Sequence, residues 1–235
     1  MQVYYAPGIN GNEWTLDENE SKHLVRVLRM KKNAAVKLID GEGNLYEGVI
    51  SEPDSKACII EIKGVTRGFE RRGYSLHIAI SPLKNPERFE WFLEKSVEIG
   101  VDEITPLICQ NTEKHNIKAS RLNNIIISAM KQSLKAKLTR LNEPVKFMDF
   151  VGRPRPTTAC IAHCSDITVR KSLGDVYKKG RDIVLLIGPE GDFSGAEIRH
   201  AVSKGYEAVH LGSSRLRTET AGVAACHSVY FLNQV

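Results

Sequence analysis

The chain has 235 residues and a mass of 26.2 kDa, which is enough for one large domain or for a small domain and a medium one. Its composition, 42% apolar and 26% charged, is ordinary for a folded protein. No stretch approaches the roughly 18 consecutive apolar residues of a membrane span. Residues 1–10 have neither a basic leader nor an apolar core, so we expect no secretory signal and a cytoplasmic protein.

The net charge of +5 is unevenly distributed. Seven Lys or Arg residues and no acidic residue fall between Lys114 and Asn142, and residues 67–72 hold a second basic cluster. Such patches favour a polyanionic partner, although a merely solvated basic surface is the alternative. The five cysteines are dispersed, and even Cys160 and Cys164 lack the spacing of a zinc or redox motif. We therefore expect no metal site and buried free thiols.

Residues 1–66 predict a small domain of short strands. A strand over 36–39 is followed by a hairpin-type turn at 40–44 and a returning strand over 45–50. β-Branched residues continue over 57–62, and strands this short close most readily into a small β-barrel. Residues 67–73 have no periodicity and two glycines, which makes this segment the predicted linker.

From Tyr74 the pattern changes to alternating strands and helices, which predicts a mostly parallel sheet covered on both faces. The first helix begins at Asn85-Pro86 and ends at Gly100. A second helix, over about 119–138, carries basic residues on one face and apolar residues on the other. The predicted strands span residues 76–81, 104–108, 158–162, 183–187 and 208–211.

Two of these strands end abruptly at glycine, at Gly188 and at Gly212. Ligands of open α/β sheets bind just beyond the carboxyl ends of the strands, so the two loops predict one pocket made largely of backbone. Gly188-Pro-Glu-Gly191 fits neither glycine-rich phosphate motif, and the next helix is capped by its own Ser194-x-x-Glu197 box. The glycines therefore favour a flat or bulky ligand, with a simple tight turn as the alternative.

The segment that follows the second glycine contains several polar and charged residues. Thr218 is the predicted N-cap of a final helix, and Glu219 lies in its first turn, where the helix dipole favours a carboxylate. Arg217 precedes this positive helix end, which is unfavourable unless the arginine faces an anion, a carboxylate or a substrate carbonyl.

The paired motifs over 187–191 and 211–221 resemble those of the RsmE family, which are S-adenosylmethionine-dependent methyltransferases of N3 of a uridine in 16S ribosomal RNA. The resemblance extends to residues 23–29, 84–101 and 132–133. It departs from the family pattern in three places. Asp192 occupies a position where the family usually has a glycine, and Asn111-Thr112 occupies a position where it often has an arginine. At Ser214-Arg215 the arginine lies one residue later than is usual in the family.

The resemblance implies an α/β fold of the SPOUT class. Its parallel sheet, over 74–235, would be tied in a trefoil knot and preceded by a PUA-like RNA-binding barrel over 1–66. The resemblance also implies S-adenosylmethionine as cofactor, 16S RNA or the small ribosomal subunit as partner, a homodimer, and neither metal nor membrane. The implied cofactor-binding residues are Ala162, His163, Ile187, Gly188, Pro189, Glu190, Gly191, Leu211, Gly212, Leu216, Arg217 and Thr218.

Basic residues in both parts of the chain are candidates for RNA contacts. The candidates are His23, Arg26, Arg29, Arg121, Lys131 and Lys135. For His23, simple packing under the barrel is the alternative. Two other functions stay open: a non-catalytic ribosome-binding module, which would need only the basic surface, and a methyltransferase of tRNA or another RNA.

The proposed chemistry needs a cation and a base. As the N3 proton of a uridine leaves, negative charge spreads onto O2 and O4, and Arg217 is the candidate to stabilise it. The alternative for Arg217 is a salt bridge to Glu190 or Glu219 that only orders the loops. The general base stays open among Glu190, Glu219 and His163.

Overall fold

The computed structural model describes residues 3–154 and 158–234. These residues divide into two compact units. One unit takes in the chain up to Arg71 together with Ile127–Leu138, and the other holds Arg72–Ile126 and the chain from Thr139 onward. The boundary after Arg71 lies inside the predicted linker. Residues 127–138 were predicted to belong to the carboxyl-terminal domain, but they group with the first unit. Backbone hydrogen bonds explain this grouping, because the N–H of Leu138 donates to the carbonyl of Gly41 and the N–H of Gly43 donates to the carbonyl of Ala136.

The first unit is built on a five-stranded sheet in the order β1-β3-β4-β5-β2. The β1–β3 pair is parallel and the other pairs are antiparallel. Within residues 3–71 no ladder joins β1 to β2, so the predicted barrel takes the form of a curled sheet. The elements are β1 (Val3–Tyr5), β2 (Glu13–Thr15), α1 (Glu18–Lys22), a π-helical segment (His23–Val27), β3 (Ala35–Ile39), β4 (Leu45–Glu52) and β5 (Ile59–Thr66).

The second unit is an α/β structure, and α3 (Ala119–Gln132) is shared by the two units. Its strands are β6 (Leu76–Ile80), β7 (Glu103–Ile108), β8 (Arg140–Leu141), β9 (Val145–Lys146), β10 (Thr158–Ala162), β11 (Lys171–Ser172), β12 (Ile183–Ile187) and β13 (Glu207–His210). Its helices are α2 (Pro86–Ile99), α4 (Phe147–Val151), α5 (Leu173–Val176), α6 (Gly195–Ser203) and α7 (Thr218–Gln234).

The strand order β11-β13-β10-β12-β6-β7-β8 confirms the predicted parallel sheet, with β9 paired to β7. Every ladder that the described residues form in this sheet is parallel. One face packs on α4 and α6, and the other packs on α7, which in turn packs against α2. A Cβ on Gly222 of α7 would lie only 2.5 Å from the Phe92 ring of α2, so the absence of a side chain lets the two helices approach closely.

The caps explain why α2 matches its prediction and α3 does not. Asn85 accepts a hydrogen bond from the backbone N–H of Glu87, and Gly100 ends α2 in the left-handed conformation. The predicted helix over 119–138 is wrong at its end, because α3 stops at Gln132. There Leu134 has a φ of 60°, and the N–H of Lys135 bonds to the carbonyl of Met130, as in a Schellman cap.

Candidate functional site

Three neighbouring strands end at the same edge of the parallel sheet. Ala162, the last residue of β10, is paired with Ile187 at the end of β12 on one side and with Val209 of β13 on the other. The loops that leave these strands therefore emerge side by side, as sequence reasoning on the carboxyl ends of strands predicts.

The three loops enclose a pocket of about 910 Å³. All the cofactor-binding residues implied by the sequence line it except Gly191. Sequence reasoning missed several others, and most of these lie within a few residues of a strand end, where the same argument could have found them. The missed lining residues include Arg88, Cys164, Ser165, Arg170, Asp192 and Ser213. Arg88 lies instead on α2, and no feature of the sequence near the two glycine loops points to it.

Gly212 gives the third loop a backbone that other residues rarely adopt. Its φ is 123°, and a Cβ built on it would meet nothing within 4 Å. Glycine is therefore required at this position because of the backbone conformation, since there is enough space for a side chain. Gly188 is the opposite case, since a Cβ there would lie 3.1 Å from the ring and the backbone nitrogen of Phe193.

His163 is buried at the end of β10, with 4% of its surface exposed. Its Nε2 lies 3.1 Å from the Thr168 hydroxyl, and its Nδ1 has no hydrogen-bond partner among the described residues. Burial lowers the pKa of His163, so the imidazole is neutral near pH 7. The backbone carbonyl of His163 accepts a hydrogen bond from Arg170.

The two candidate carboxylates differ sharply in environment. Glu190 is exposed, and its Oε1 accepts a hydrogen bond of 3.1 Å from the backbone N–H of Lys84. Glu219 is only 7% exposed and lies 3.8 Å from the guanidinium of Arg88. The other oxygen of Glu219, Oε2, is buried and has no hydrogen-bond partner among the described residues. Glu219 thus lines the pocket and holds a buried acceptor that no described residue satisfies.

Arg217 is exposed at the pocket immediately before α7. The helix begins at Thr218, so the predicted N-cap is off by one residue, and the carbonyl of Arg217 accepts the N–H of Ala221. Among residues 3–154 and 158–234, Arg217 forms no ion pair with Glu190 or Glu219. Both carboxylates have other partners, so the loop-ordering salt bridge considered from the sequence is not formed.

The basic candidates of the first unit fall into two groups. Arg26 and Arg29 are exposed, and the side chain of Arg26 donates a hydrogen bond of 3.1 Å to the Ser55 hydroxyl. His23 begins the π-helical segment and is half-buried. Lys131 is instead ion-paired with Glu20, and Lys135 lies 3.6 Å from Glu70 and outside the helix.

In the second unit Arg121 forms two hydrogen bonds with Glu90, of 2.6 and 2.8 Å. The basic residues predicted to form one face of α3, namely Arg121, Lys131 and Lys135, therefore each lie close to a carboxylate.

Four of the cysteines are buried and all five are free. Cys164 is exposed, contrary to the expectation of a buried thiol, because it lies two residues beyond the end of β10. In the described ranges there is no group of three His, Cys, Asp or Glu side chains that could hold a metal ion. The same ranges contain no helix long and apolar enough to cross a membrane.

Comparison with known proteins assigns both parts of the chain. A model of the RNA methyltransferase domain matches residues 70–230, and a model of the PUA domain of RNA methyltransferases matches residues 16–63. Ribosomal RNA small subunit methyltransferase E of Buchnera aphidicola subsp. Schizaphis graminum is 28% identical over 218 residues, which cover 90% of this chain and 87% of that protein.

Two crystal structures are similar along the whole chain. A probable rRNA-methyltransferase from Porphyromonas gingivalis has 39% sequence identity and a TM-score of 0.94, with 100% of this chain and 99% of that one covered. Ribosomal RNA small subunit methyltransferase E from Neisseria gonorrhoeae, bound to S-adenosyl methionine, has 27% identity and a TM-score of 0.88, with 99% and 98% covered. With the domain match over 70–230, these similarities show that the chain belongs to the RNA methyltransferase family.

Proposed function

We propose that the protein transfers a methyl group from S-adenosylmethionine to N3 of a uridine in 16S ribosomal RNA. The observation that carries the proposal is the pocket of about 910 Å³ at the ends of β10, β12 and β13, on a chain of the RNA methyltransferase family. The volume suits a nucleoside-sized ligand. The similar Neisseria protein is bound to S-adenosyl methionine, which supports the same cofactor here.

The residues of the pocket fit such a cofactor. Most of the lining residues lie at strand ends or in the loops that follow them, and the backbone N–H and C=O groups of such loops can hydrogen-bond an adenine edge or a ribose. His163 contributes a buried ring nitrogen, Nδ1, that lacks a partner among the described residues, and buried polar atoms in folded proteins are normally satisfied. When bound, S-adenosylmethionine supplies an activated methyl group on its sulfonium sulfur.

The chain must then remove a proton and hold negative charge. Methylation replaces the N3–H bond of the uridine with an N3–C bond, so the proton must pass to a base. We assign that role to Glu219, because its Oε2 is a buried acceptor without a partner in the described part of the chain, whereas Glu190 is exposed and already accepts from Lys84. We assign to Arg217 the stabilisation of the negative charge on O2 or O4, because it is exposed at the pocket and forms no ion pair with Glu190 or Glu219.

The resemblance carries three further proposals. The order β13-β10-β12-β6, with α7 packed back on β6 and β12, supports a trefoil knot in the carboxyl-terminal part. The exposed side chains of Tyr230 and Phe231 on α7 support a homodimer, which sedimentation would report as about twice the 26.2 kDa chain mass. The reduced cysteines support action in the cytoplasm on RNA bound through the PUA-like part.

The decisive experiment is to map methylated uridines in 16S RNA from a strain that lacks this gene, with and without the wild-type chain supplied. We expect one N3-methyluridine to disappear in the deletion strain and to return with the protein. Small-subunit RNA without any difference between the strains, or a difference found only in tRNA, would contradict the proposal. Purified protein incubated with labelled S-adenosylmethionine and small subunits provides the direct test.

A further inference from the structure

Two of the pocket loops are joined by a single carboxylate. Oδ2 of Asp192, in the loop after β12, accepts a hydrogen bond of 2.8 Å from the backbone N–H of Cys164, in the loop after β10. Its Oδ1 accepts the N–H of Phe193, also at 2.8 Å. Both Asp192 and Cys164 line the pocket. One side chain therefore fixes the distance between two of its walls.

The backbone at Asp192 is bent so that the carboxylate can reach. Asp192 has a φ of 64°, in the left-handed region, and its N–H bonds to the carbonyl of Pro189 at 2.9 Å. Aspartate is one of the few residues besides glycine that tolerate this conformation. Here it adopts the glycine-like turn and still supplies a charged acceptor.

Asn111 holds the same turn from the other side. Its Nδ2 donates to the carbonyls of Gly191 and Asp192, at 3.3 and 3.0 Å. Asn111 is itself anchored, because the neighbouring Thr112 hydroxyl accepts the N–H of Cys109 and lies 2.7 Å from the Ser81 hydroxyl. The end of β7 is thereby linked to the loop after β12, and through Asp192 to the loop after β10.

We propose that Asp192 and Asn111 are positioning residues that preform the pocket by holding the loops after β7, β10 and β12 in one arrangement. The inference rests on the proposed function, since the pocket is taken as the S-adenosylmethionine site. Neither residue needs to touch the reacting atoms. Their effect is to spare the ligand the cost of ordering the loops, which appears as affinity.

Three substitutions at position 192 separate the carboxylate from the turn. Asp192→Gly removes the carboxylate but adopts the φ of 64° without strain, and Asp192→Ala removes it and adds strain. Asp192→Asn keeps an acceptor oxygen and tolerates the turn. Asp54→Gly is the matched control, because Asp54 also accepts two backbone N–H groups, those of Lys56 and Ala57, but lies in the other unit.

The measurements are the dissociation constant of S-adenosylmethionine by calorimetry, the exchange rate of the Cys164 amide without ligand, and the melting temperature. For Asp192→Gly we expect a rise of about tenfold in the dissociation constant, the low end for loss of hydrogen bonds to a charged group. We also expect faster exchange at the Cys164 amide, with the melting temperature close to that of the wild type. Asp192→Asn should recover most of the affinity, and Asp54→Gly should change none of it.

Asn111→Ala should raise the dissociation constant as well. In the double variant with Asp192→Gly, the fold-increase in the dissociation constant should be smaller than the product of the two single increases, because both residues act on one turn. Wild-type affinity in Asp192→Gly would overturn the proposal, with or without faster exchange at Cys164. The proposal would also be overturned if amide exchange in Asp192→Gly were faster throughout the second unit and the melting temperature fell to match, because that result marks a merely structural role. A wild-type chain that does not bind S-adenosylmethionine would contradict the proposed function instead, and the exchange rates would still decide whether Asp192 holds the loop.

Discussion

Arg88 and Glu219 form an incomplete ion pair at the pocket: the Arg88 Nε lies 3.8 Å from one carboxylate oxygen of Glu219, and the other oxygen is buried without a hydrogen bond among the described residues. A buried acceptor left without a donor is costly. The cost is offset if the substrate supplies the donor, and the N3–H of a uridine is a donor of the right kind.

Glu219→Gln tests this assignment. The amide has the same shape but cannot take up the proton, so we expect the single-turnover rate to fall by about 100-fold to 10,000-fold, the range for loss of a general base. The dissociation constant of S-adenosylmethionine should stay within about threefold. Glu190→Gln is the control and should keep most of the rate, because Glu190 is exposed and bonded to the Lys84 N–H. If Glu190→Gln lost more of the single-turnover rate than Glu219→Gln, the role of general base would be assigned to Glu190 instead.

Arg217→Ala should reduce methylation far more than cofactor binding. By analogy with other donors to a developing oxyanion, the loss should be about 100-fold to 1000-fold in rate. A salt bridge to Glu190 or Glu219 would predict loosened loops and a comparable loss of affinity, but neither pair is formed among the described residues. Single-turnover rate and dissociation constant measured on the same variant separate the two roles. Equal losses in both would remove Arg217 from the catalytic residues.

Glycine substitutions should distinguish loop conformation from space in the pocket. Gly212→Ala should weaken S-adenosylmethionine binding, because no other residue adopts a φ of 123° without strain. Gly188→Val should also weaken it, through the contact of its side chain with Phe193 rather than through direct occupation of the pocket. Gly11→Ala, also at positive φ but in the first unit, should lose stability and keep full affinity. Unchanged binding by a folded Gly212→Ala chain would argue against this pocket.

The parts of the structure that sequence predicts well have strong local signals. The limits of β10 and β12 match because each strand is an apolar run with polar or glycine neighbours, and α2 matches because Asn85, Pro86 and Gly100 mark its ends. The end of α3 was missed because a leucine in the left-handed conformation carries no such signal. Side-chain partners across the fold are equally hard to predict, as the distance in sequence between Arg88 and Glu219 illustrates.

One buried histidine, His163, and one half-buried histidine, His77, predict a loss of stability in mild acid. Burial lowers the pKa of both His77 and His163 below the ordinary value of about 6.5. Below that pH the unfolded chain binds more protons than the folded one, so the free energy of unfolding falls as pH decreases toward the folded-state pKa values. Urea unfolding at pH 7.5, 6.5 and 5.5 should show the decline before most carboxylates titrate. His77→Gln should flatten it, and an unchanged slope in that variant would exclude His77 as a source.

RNA binding should depend more on Arg26 and Arg29 than on Lys131. The two arginines are exposed, and among the described residues neither forms an ion pair within 4.0 Å. Lys131 is already paired with Glu20 and would have to break that pair to meet a phosphate. Replacing Arg26 and Arg29 by glutamine should weaken binding to small-subunit RNA and lower the slope of log affinity against log salt by about 0.7 to 0.9 for each phosphate that is no longer neutralised. Lys131→Gln should leave the slope nearly unchanged. Titrations at four salt concentrations, with S-adenosylmethionine affinity as the check on folding, measure both effects. An equal reduction of slope in the Lys131 variant would show that the Glu20 pair opens on binding and that the carboxyl-terminal part of α3 belongs to the RNA surface after all.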